Sequence, residues 1–307
     1  MQKLQETAEK IRTMEIRGAG RIAKAAAEAI RDYAAGMEVA SMEEFSTCIR
    51  EASSFLISTR PTAVSLPNAI KLASKYSSGN VEEARKEIIE NANLFIERAD
   101  KALGIIGKIG SRRIQDGDVI MTHCNSHAAL SIITTAFEDG KNISVIATES
   151  RPRRHGLLTI RHLNNFGIPT TLIVDSAVRY YMKEVDKVIV GADAIAANGA
   201  LVNKIGTSQL ALAAHEARKS FMVAAETFKF SPNTIVGNPI EIEERNTEEV
   251  VDPSFLADLP HVQVKNPAFD FTPAKYIDII VTDIWIISPA MAYTVIKEQL
   301  GWELGEI

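Results

Sequence analysis

Asp118-Val119-Ile120-Met121-Thr122, then His123-Cys124-Asn125-Ser126, then Ala128 to Phe137, reads as an apolar strand, a polar break and an amphipathic helix. The same grammar recurs downstream. Ile143 to Thr148, Thr170 to Val174, Lys187 to Gly191, Phe221 to Ala225 and Ile277 to Thr282 are strand patterns, with helical patterns such as Leu157 to Phe166 and Ile205 to Arg218 between most of them. Continuous apolar strands alternating with helices need cover on both faces, which predicts an α/β unit with a mainly parallel sheet covered by helices. Pro232 to Pro267 is an exception, a Pro- and acid-rich excursion in which only Val262 to Val264 is strand-like.

Upstream, to about Arg113, the periodicity is helical throughout. Gly20 to Ala35 places Ile22, Ala26, Ile30 and Tyr33 on one face. Ser41-Met42-Glu43-Glu44 is a capping box, in which the Ser oxygen accepts an orphan N–H and Glu44 reaches back. The helix it opens carries Phe45, Cys48, Ala52 and Phe55 at three- and four-residue spacing, so Cys48 reads as a small core hydrophobe. Pro67-Asn68 starts another helix, and Gly79 to about Ile109 is a long one. The expected division is an N-terminal all-helical domain over 1–113 and an α/β catalytic domain over 114–307.

The chain has 307 residues, 46% hydrophobic and 24% charged, which excludes an intrinsically disordered protein. The net charge of −5 disfavours a nucleic-acid partner while leaving room for a local basic pocket. No apolar run approaches the ~18 residues of a membrane span, and Met1-Gln2-Lys3 opens a polar segment, so a cytoplasmic location without membrane contact is expected. Cys48 and Cys124 are far apart and fit a reducing compartment rather than a disulfide framework. No two of the six histidines have convincing metal-ligand spacing, so no metal is expected.

In an open α/β sheet, ligands bind beyond the carboxyl ends of the strands. Here those ends are Thr122-His123-Cys124-Asn125, Thr148-Glu149-Ser150-Arg151, Asp175-Ser176, Gly191-Ala192-Asp193, Glu226-Thr227 and Asp283. Cys124 precedes a helix that can begin near Ser126. Orphan N–H groups and the positive dipole end there favour thiolate and predict a pKa below the usual ~8.5. A small strand-end hydrophobe fits the position equally. Asp193 fits an acid/base partner or a turn cap. Asn203-Lys204-Ile205-Gly206-Thr207, after the turn signal Asn198-Gly199, reads as a helix opening whose amide, cation and hydroxyl suit sugar hydroxyls or phosphate, or ordinary capping. Arg151, Arg153 and Arg154 concentrate guanidinium groups that suit phosphate or an acidic neighbouring subunit. Arg17-Gly18-Ala19-Gly20 has no strand before it, so a dinucleotide fingerprint fails its context. What remains is a glycine break bringing backbone N–H groups to an anion.

Four strings taken together, Met14 to Gly20, Thr59-Arg60-Pro61-Thr62-Ala63-Val64, Gly191 to Thr207 and Asn266-Pro267-Ala268-Phe269-Asp270, resemble one superfamily over nearly the whole chain. It comprises the regulatory subunits of translation initiation factor 2B, the methylthioribose-1-phosphate isomerases and the archaeal ribose-1,5-bisphosphate isomerases. Cys124 and Asp193 resemble the isomerases, and Ala225-Glu226-Thr227-Phe228-Lys229 looks like the bisphosphate branch, where a Lys suits a second phosphate. The resemblance implies a Rossmann-like C-terminal domain and an aldose–ketose isomerase of nucleotide salvage. In it, protonated Asp193 opens the sugar ring and Cys124 thiolate takes the C2 proton. By the same resemblance Arg17, Gly18, Ala19, Gly20 and Arg60 hold one phosphate, Lys229 helps at the other, Asn203 and Lys204 meet the sugar, and Ser126 and His127 complete the binding set. It also implies a homo-oligomer, a dimer or a hexamer built as a trimer of dimers, and no cofactor, with AMP a candidate activator. The alternatives are a regulatory subunit that binds a nucleotide or sugar phosphate without turnover, and a methylthioribose-1-phosphate isomerase. Trp285, where relatives commonly have Gly, and Arg154-His155 depart from the pattern. They are expected at the pocket rim and subunit contacts, away from the acid/base pair.

Overall fold

The computed structural model describes residues 2–302 apart from Pro61 and Asn238. Pro61 of the Thr59 to Val64 string and the last five residues of the expected catalytic domain therefore lie outside the described residues. Five helices form the first part: α1 (Gln2–Arg12), α2 (Ala19–Ala35), α3 (Met42–Ser58), α4 (Ser65–Ala73) and α5 (Val81–Ser111). Leu4, Ile11, Ile30, Phe45, Leu56 and Ile88 meet in their shared core. Ser41 Oγ accepts the Glu44 N–H at 3.2 Å, but the Glu44 carboxylate reaches the Ala40 N–H, one residue earlier than a capping box places it. The predicted stripe on α3 is also rotated at its end: Phe55 is 37% exposed and Leu56 is buried instead. Cys48 is partly buried against this core.

The second part alternates as expected. Its main sheet contains β1 (Val119–Thr122), β2 (Ser144–Thr148), β3 (Thr170–Ile173), β4 (Lys187–Gly191), β7 (Ser220–Ala224), β10 (Ile279–Val281) and the short β11 (Ile286–Ile287). The order is β11-β10-β7-β4-β1-β2-β3, parallel except for β11. Six parallel strands in that order form the doubly wound Rossmann arrangement, with its switch point between β1 and β4. Helices α6 (His127–Glu138), α7 (Gly156–Asn165), α8 (Val178–Tyr181), α9 (Thr207–Glu216), α10 (Pro253–Leu256) and α11 (Ala292–Leu300) complete the described α-helices. The sheet is buried because its strands are unbroken apolar runs; Val188, Ile189 and Val190 have no exposed surface.

A second, four-stranded sheet is absent from the sequence reading. It has the order β8-β5-β6-β9, from β5 (Ala194–Ala196), β6 (Leu201–Lys204), β8 (Phe230–Ser231) and β9 (Phe269–Thr272). Asn203 and Lys204 are thus strand residues, not a helix opening. The helix starts only at Thr207, after the left-handed Gly206. Val262 to Val264 forms no strand, because β9, further on, pairs with β6 instead. No helix among the described residues is long and apolar enough to cross a membrane.

Candidate active site

Asp193 follows β4 and Cys124 follows β1, so the two open from neighbouring strands at the switch point. Both line one cavity of about 610 Å³, within the usual range for small-molecule sites. Arg17, Gly18, Ala19 and Gly20 reach it from the head of α2, Arg60 from the α3–α4 link, Ser126 and His127 from the head of α6, Asn203 and Lys204 from β6, and Lys229 from beyond β7. The structure therefore gathers every residue in the expected site set around a single space.

The backbone explains the placement. Cys124 has φ +67°, a left-handed conformation that L residues enter only when held there. Its N–H donates to Ser150 Oγ at 2.7 Å, and its carbonyl accepts Thr159 Oγ1–H at 2.6 Å. Behind it, His123 is locked between Thr148 Oγ1 at 2.6 Å and the Ile205 carbonyl at 2.8 Å, and burial lowers its pKa. Ser126 caps α6 by accepting the Ala129 N–H at 3.3 Å. It comes so close to β4 that a Cβ on Gly191 would stand 2.1 Å from its Oγ, so the position requires glycine. Gly18, at φ +90°, precedes α2 without any side-chain cap, which leaves the first-turn N–H groups of that helix for a ligand.

The electrostatics contradict one expectation. Burial pushes the Cys124 thiol up to about 11 and outweighs Lys204, the Asn125 N–H and Arg245, which act the other way. Helix-head position alone predicts the reverse, because it ignores how completely the surrounding residues displace water. Asp193 is raised too, again by burial, against Lys229, Lys204, Arg245 and Arg60. Burial thus shifts this carboxyl toward its protonated form. Burial likewise depresses Lys204, whose Nζ donates to the Ala268 carbonyl at 3.0 Å and lies over the Phe269 ring.

Several contacts were not legible. Lys229 Nζ lies 2.7 Å from Glu226 Oε2, and Arg60 donates to Glu243 at 2.8 Å, so neither cation is a free phosphate clamp. Arg245, from the Pro-rich excursion, lines the cavity and also contacts Glu243. Arg153 pairs with Glu249 and Arg154 with Glu149, while the Arg151 guanidinium donates to the Val250 carbonyl, so two of the three guanidinium groups find acids within the chain. His155 is no rim residue: its Nδ1 is 3.5 Å from Cys124 Sγ, contrary to the expected separation from the acid/base pair. Trp285 stands clear of the cavity, its carbonyl accepting from Thr282 N–H and Oγ1. No cluster of three His, Cys, Asp or Glu that could hold a metal occurs among the described residues.

A doubly wound sheet with a thiol and a buried carboxyl beside its switch point, ringed by cations, is the architecture of a small-molecule site suited to an anionic ligand. The chain belongs to the initiation factor 2 subunit family, whose model matches residues 15–289. Within that family it is 55% identical to ribose 1,5-bisphosphate isomerase of Methanocaldococcus jannaschii, over 97% of this chain and 96% of that protein. It is 56% identical to ribose 1,5-bisphosphate isomerase of Archaeoglobus fulgidus, over 98% and 95% respectively. Among solved structures, translation initiation factor eIF-2B of Pyrococcus horikoshii OT3 superposes over 94% of this chain and 98% of that one, at 33% identity and a TM-score of 0.79. The resemblance read from the four motif strings is borne out, as is the α/β fold class.

Proposed function

We propose that the chain is an isomerase converting ribose 1,5-bisphosphate to ribulose 1,5-bisphosphate. One observation carries the reading: Cys124 and Asp193 open from adjacent strand ends into one cavity walled by Arg17, Arg60, Lys204, Lys229 and Arg245. The near full-length identity to isomerases of that name supports it.

The phosphate on the anomeric oxygen prevents simple ring opening to a free aldehyde. Asp193 gives its proton to the ring oxygen as the C1–O bond breaks. Cys124, as thiolate, takes the C2 proton, and the C–H electron pair becomes the C1–C2 double bond of a phosphoenol. Asp193 then recovers a proton from the C2 hydroxyl while the Cys124 thiol returns its proton to C1. Both groups end as they began. General acid and base groups are each worth ~10²- to 10⁴-fold, and positioning in a water-poor cavity adds to this. Burial favours the protonated form of Asp193, which suits an acid; it opposes the Cys124 thiolate, so the base needs help.

The head of α2 with Arg17, beside the Glu243-paired Arg60, suits one phosphate, and Lys229, as half of its pair with Glu226, helps at the other. The homo-oligomer, dimer or hexamer, and activation by AMP belong to the same proposal. The decisive experiment is a phosphorus and proton NMR time course with ribose 1,5-bisphosphate, with and without AMP, alongside Cys124→Ser. Ribulose 1,5-bisphosphate that forms with the native chain and not with the variant supports the reading. Unchanged substrate with folded protein moves the reading to a non-catalytic subunit or to the methylthioribose substrate, and light scattering on the same samples reads the oligomer.

A further inference from the structure

The Cys124 thiol has a neighbour that the two-residue scheme leaves idle. His155 stands at the head of α7 with Nδ1 3.5 Å from Cys124 Sγ, and both side chains face the cavity. One turn further along α7, Thr159 Oγ1–H donates to the Cys124 carbonyl at 2.6 Å. The first turn of α7 therefore fixes imidazole and thiol relative to each other from two points.

We propose that His155 is the proton acceptor for the Cys124 thiol, a positioning residue that turns a buried thiol into the base the isomerisation requires. The inference rests on the reading of the site as an isomerase. The charged groups facing the pair are Lys204 from β6, Arg245 and Arg153 from the flanking loops, Arg17 from ahead of α2, and Asp193 from beyond β4. In the free protein burial and these cations hold His155 down to about 4, and burial holds Cys124 up at about 11, so the resting pair is neutral. A thiolate–imidazolium pair carries no net charge, so burial penalises it less than a solitary thiolate. Burial is the larger cause of the low His155 value, and a bound bisphosphate offsets the other, the field of these cations, so that protonating His155 costs less.

The step balances within the pair. The S–H bond breaks, its proton goes to the lone pair of Nδ1, and the electron pair stays on sulfur. Thiolate then carries the proton from C2 to C1 as described, and after product release the imidazolium returns its proton to sulfur. For this Nδ1 must be bare at rest, with the ring hydrogen on Nε2.

Nitrogen-15 NMR of the histidine-labelled native chain, assigned with His155→Gln, reads that tautomer directly. A hydrogen on Nε2 at neutral pH is expected; a hydrogen on Nδ1 overturns the proposal. In kinetics, His155→Phe is expected to lose kcat on the order of a hundredfold with KM within about threefold. The pH dependence of kcat should shift upward and added imidazole should restore part of the rate. His155→Gln, which keeps polarity but accepts no proton, should lose kcat to a similar extent; native kcat in that variant overturns the role. An equal loss in both variants with an unmoved pH profile and no rescue marks His155 as merely structural and also overturns it. Iodoacetamide labelling of Cys124 with inorganic phosphate supplying the anion needs no turnover: at neutral pH, His155→Phe should then label several-fold more slowly. If the native chain fails to turn over ribose 1,5-bisphosphate, the isomerase reading falls, while tautomer and labelling still judge the pair.

Discussion

Lys229 Nζ lies 2.7 Å from Glu226 Oε2, and both side chains are more than nine-tenths buried in the cavity wall. The contact is an ion pair without hydrogen-bond alignment, and the other Glu226 oxygen faces the head of α2 at Gly20. Lys229 therefore meets a substrate phosphate only as one half of a compensated pair. Removing the cation alone strands a buried carboxylate, which typically costs about 3–5 kcal/mol. Lys229→Met should lower the denaturation midpoint, and Lys229→Met with Glu226→Gln should recover most of it. In the same single variant KM for the bisphosphate should rise about tenfold, the equivalent of ~1.4 kcal/mol. An unchanged KM would remove Lys229 from phosphate binding.

Cys124→Ser and Asp193→Asn should each lower kcat by at least ~10²-fold, because each removes a proton-transfer group rather than a binding contact. KM should stay within a few-fold and circular dichroism should be unchanged. Full turnover in either variant would exclude that residue from the chemistry.

Stability should fall as pH drops from about 6.5 to about 4. His155 sits at about 4 in the fold against an ordinary value of 6.5, and His123 and His127 are also lowered by burial. Below 6.5 the unfolded chain binds protons that the fold excludes, so acid favours unfolding. Asp270 acts with the opposite sign. Burial raises it to about 6, so its contribution to stability grows as pH falls from 6 toward its ordinary 3.8. Urea midpoints at neutral and acidic pH, taken for the native chain, His155→Gln and Asp270→Asn, separate the two: the first variant should flatten the acid loss and the second should steepen it.

Gly191→Ala places a methyl group 2.1 Å from where Ser126 Oγ now lies. Either β4 or the head of α6 must move, and Cys124 sits two residues before Ser126. The variant should lose activity out of proportion to stability, with kcat down at least tenfold. Ser126→Ala, which removes the cap and one hydroxyl of the cavity lining, should cost about 1 kcal/mol of stability and raise KM while kcat stays within a few-fold. Thermal denaturation alongside kinetics distinguishes the two effects.

The main sheet was legible because runs such as Val188 to Val190 are buried on both faces and so carry an unbroken apolar pattern. The second sheet was not, because its strands are two to four residues long and β6 finds its partner β9 more than sixty positions later. Asn203 and Lys204 imitate a helix opening because Gly206 and Thr207, just after them, do open one. Cys124 and Asp193 stood out as polar strand ends, and motif resemblance supplied the rest of the site set. Invisible were the contacts made by distant chain: His155 meets Cys124 across 31 positions, and Arg245 enters from a stretch with no periodicity. Local position gave the dipole acting on the thiol, whereas its dehydration depends on side chains from the whole fold.

The pairing of β1 with β4 also acts as a gauge. Neighbouring strands in a sheet stand about 4.8 Å apart, a spacing set by backbone hydrogen bonds rather than by side chains. Cys124 and Asp193, the groups proposed to move the protons, each stand two residues beyond one of these adjacent strands, while most of the cations come from loops and helix heads around them. Changes in those surroundings leave the strands that carry the two groups at the same spacing. On the proposed reading, the walls can therefore change to suit a different sugar phosphate while the strands beneath the proton-transfer groups stay as they are.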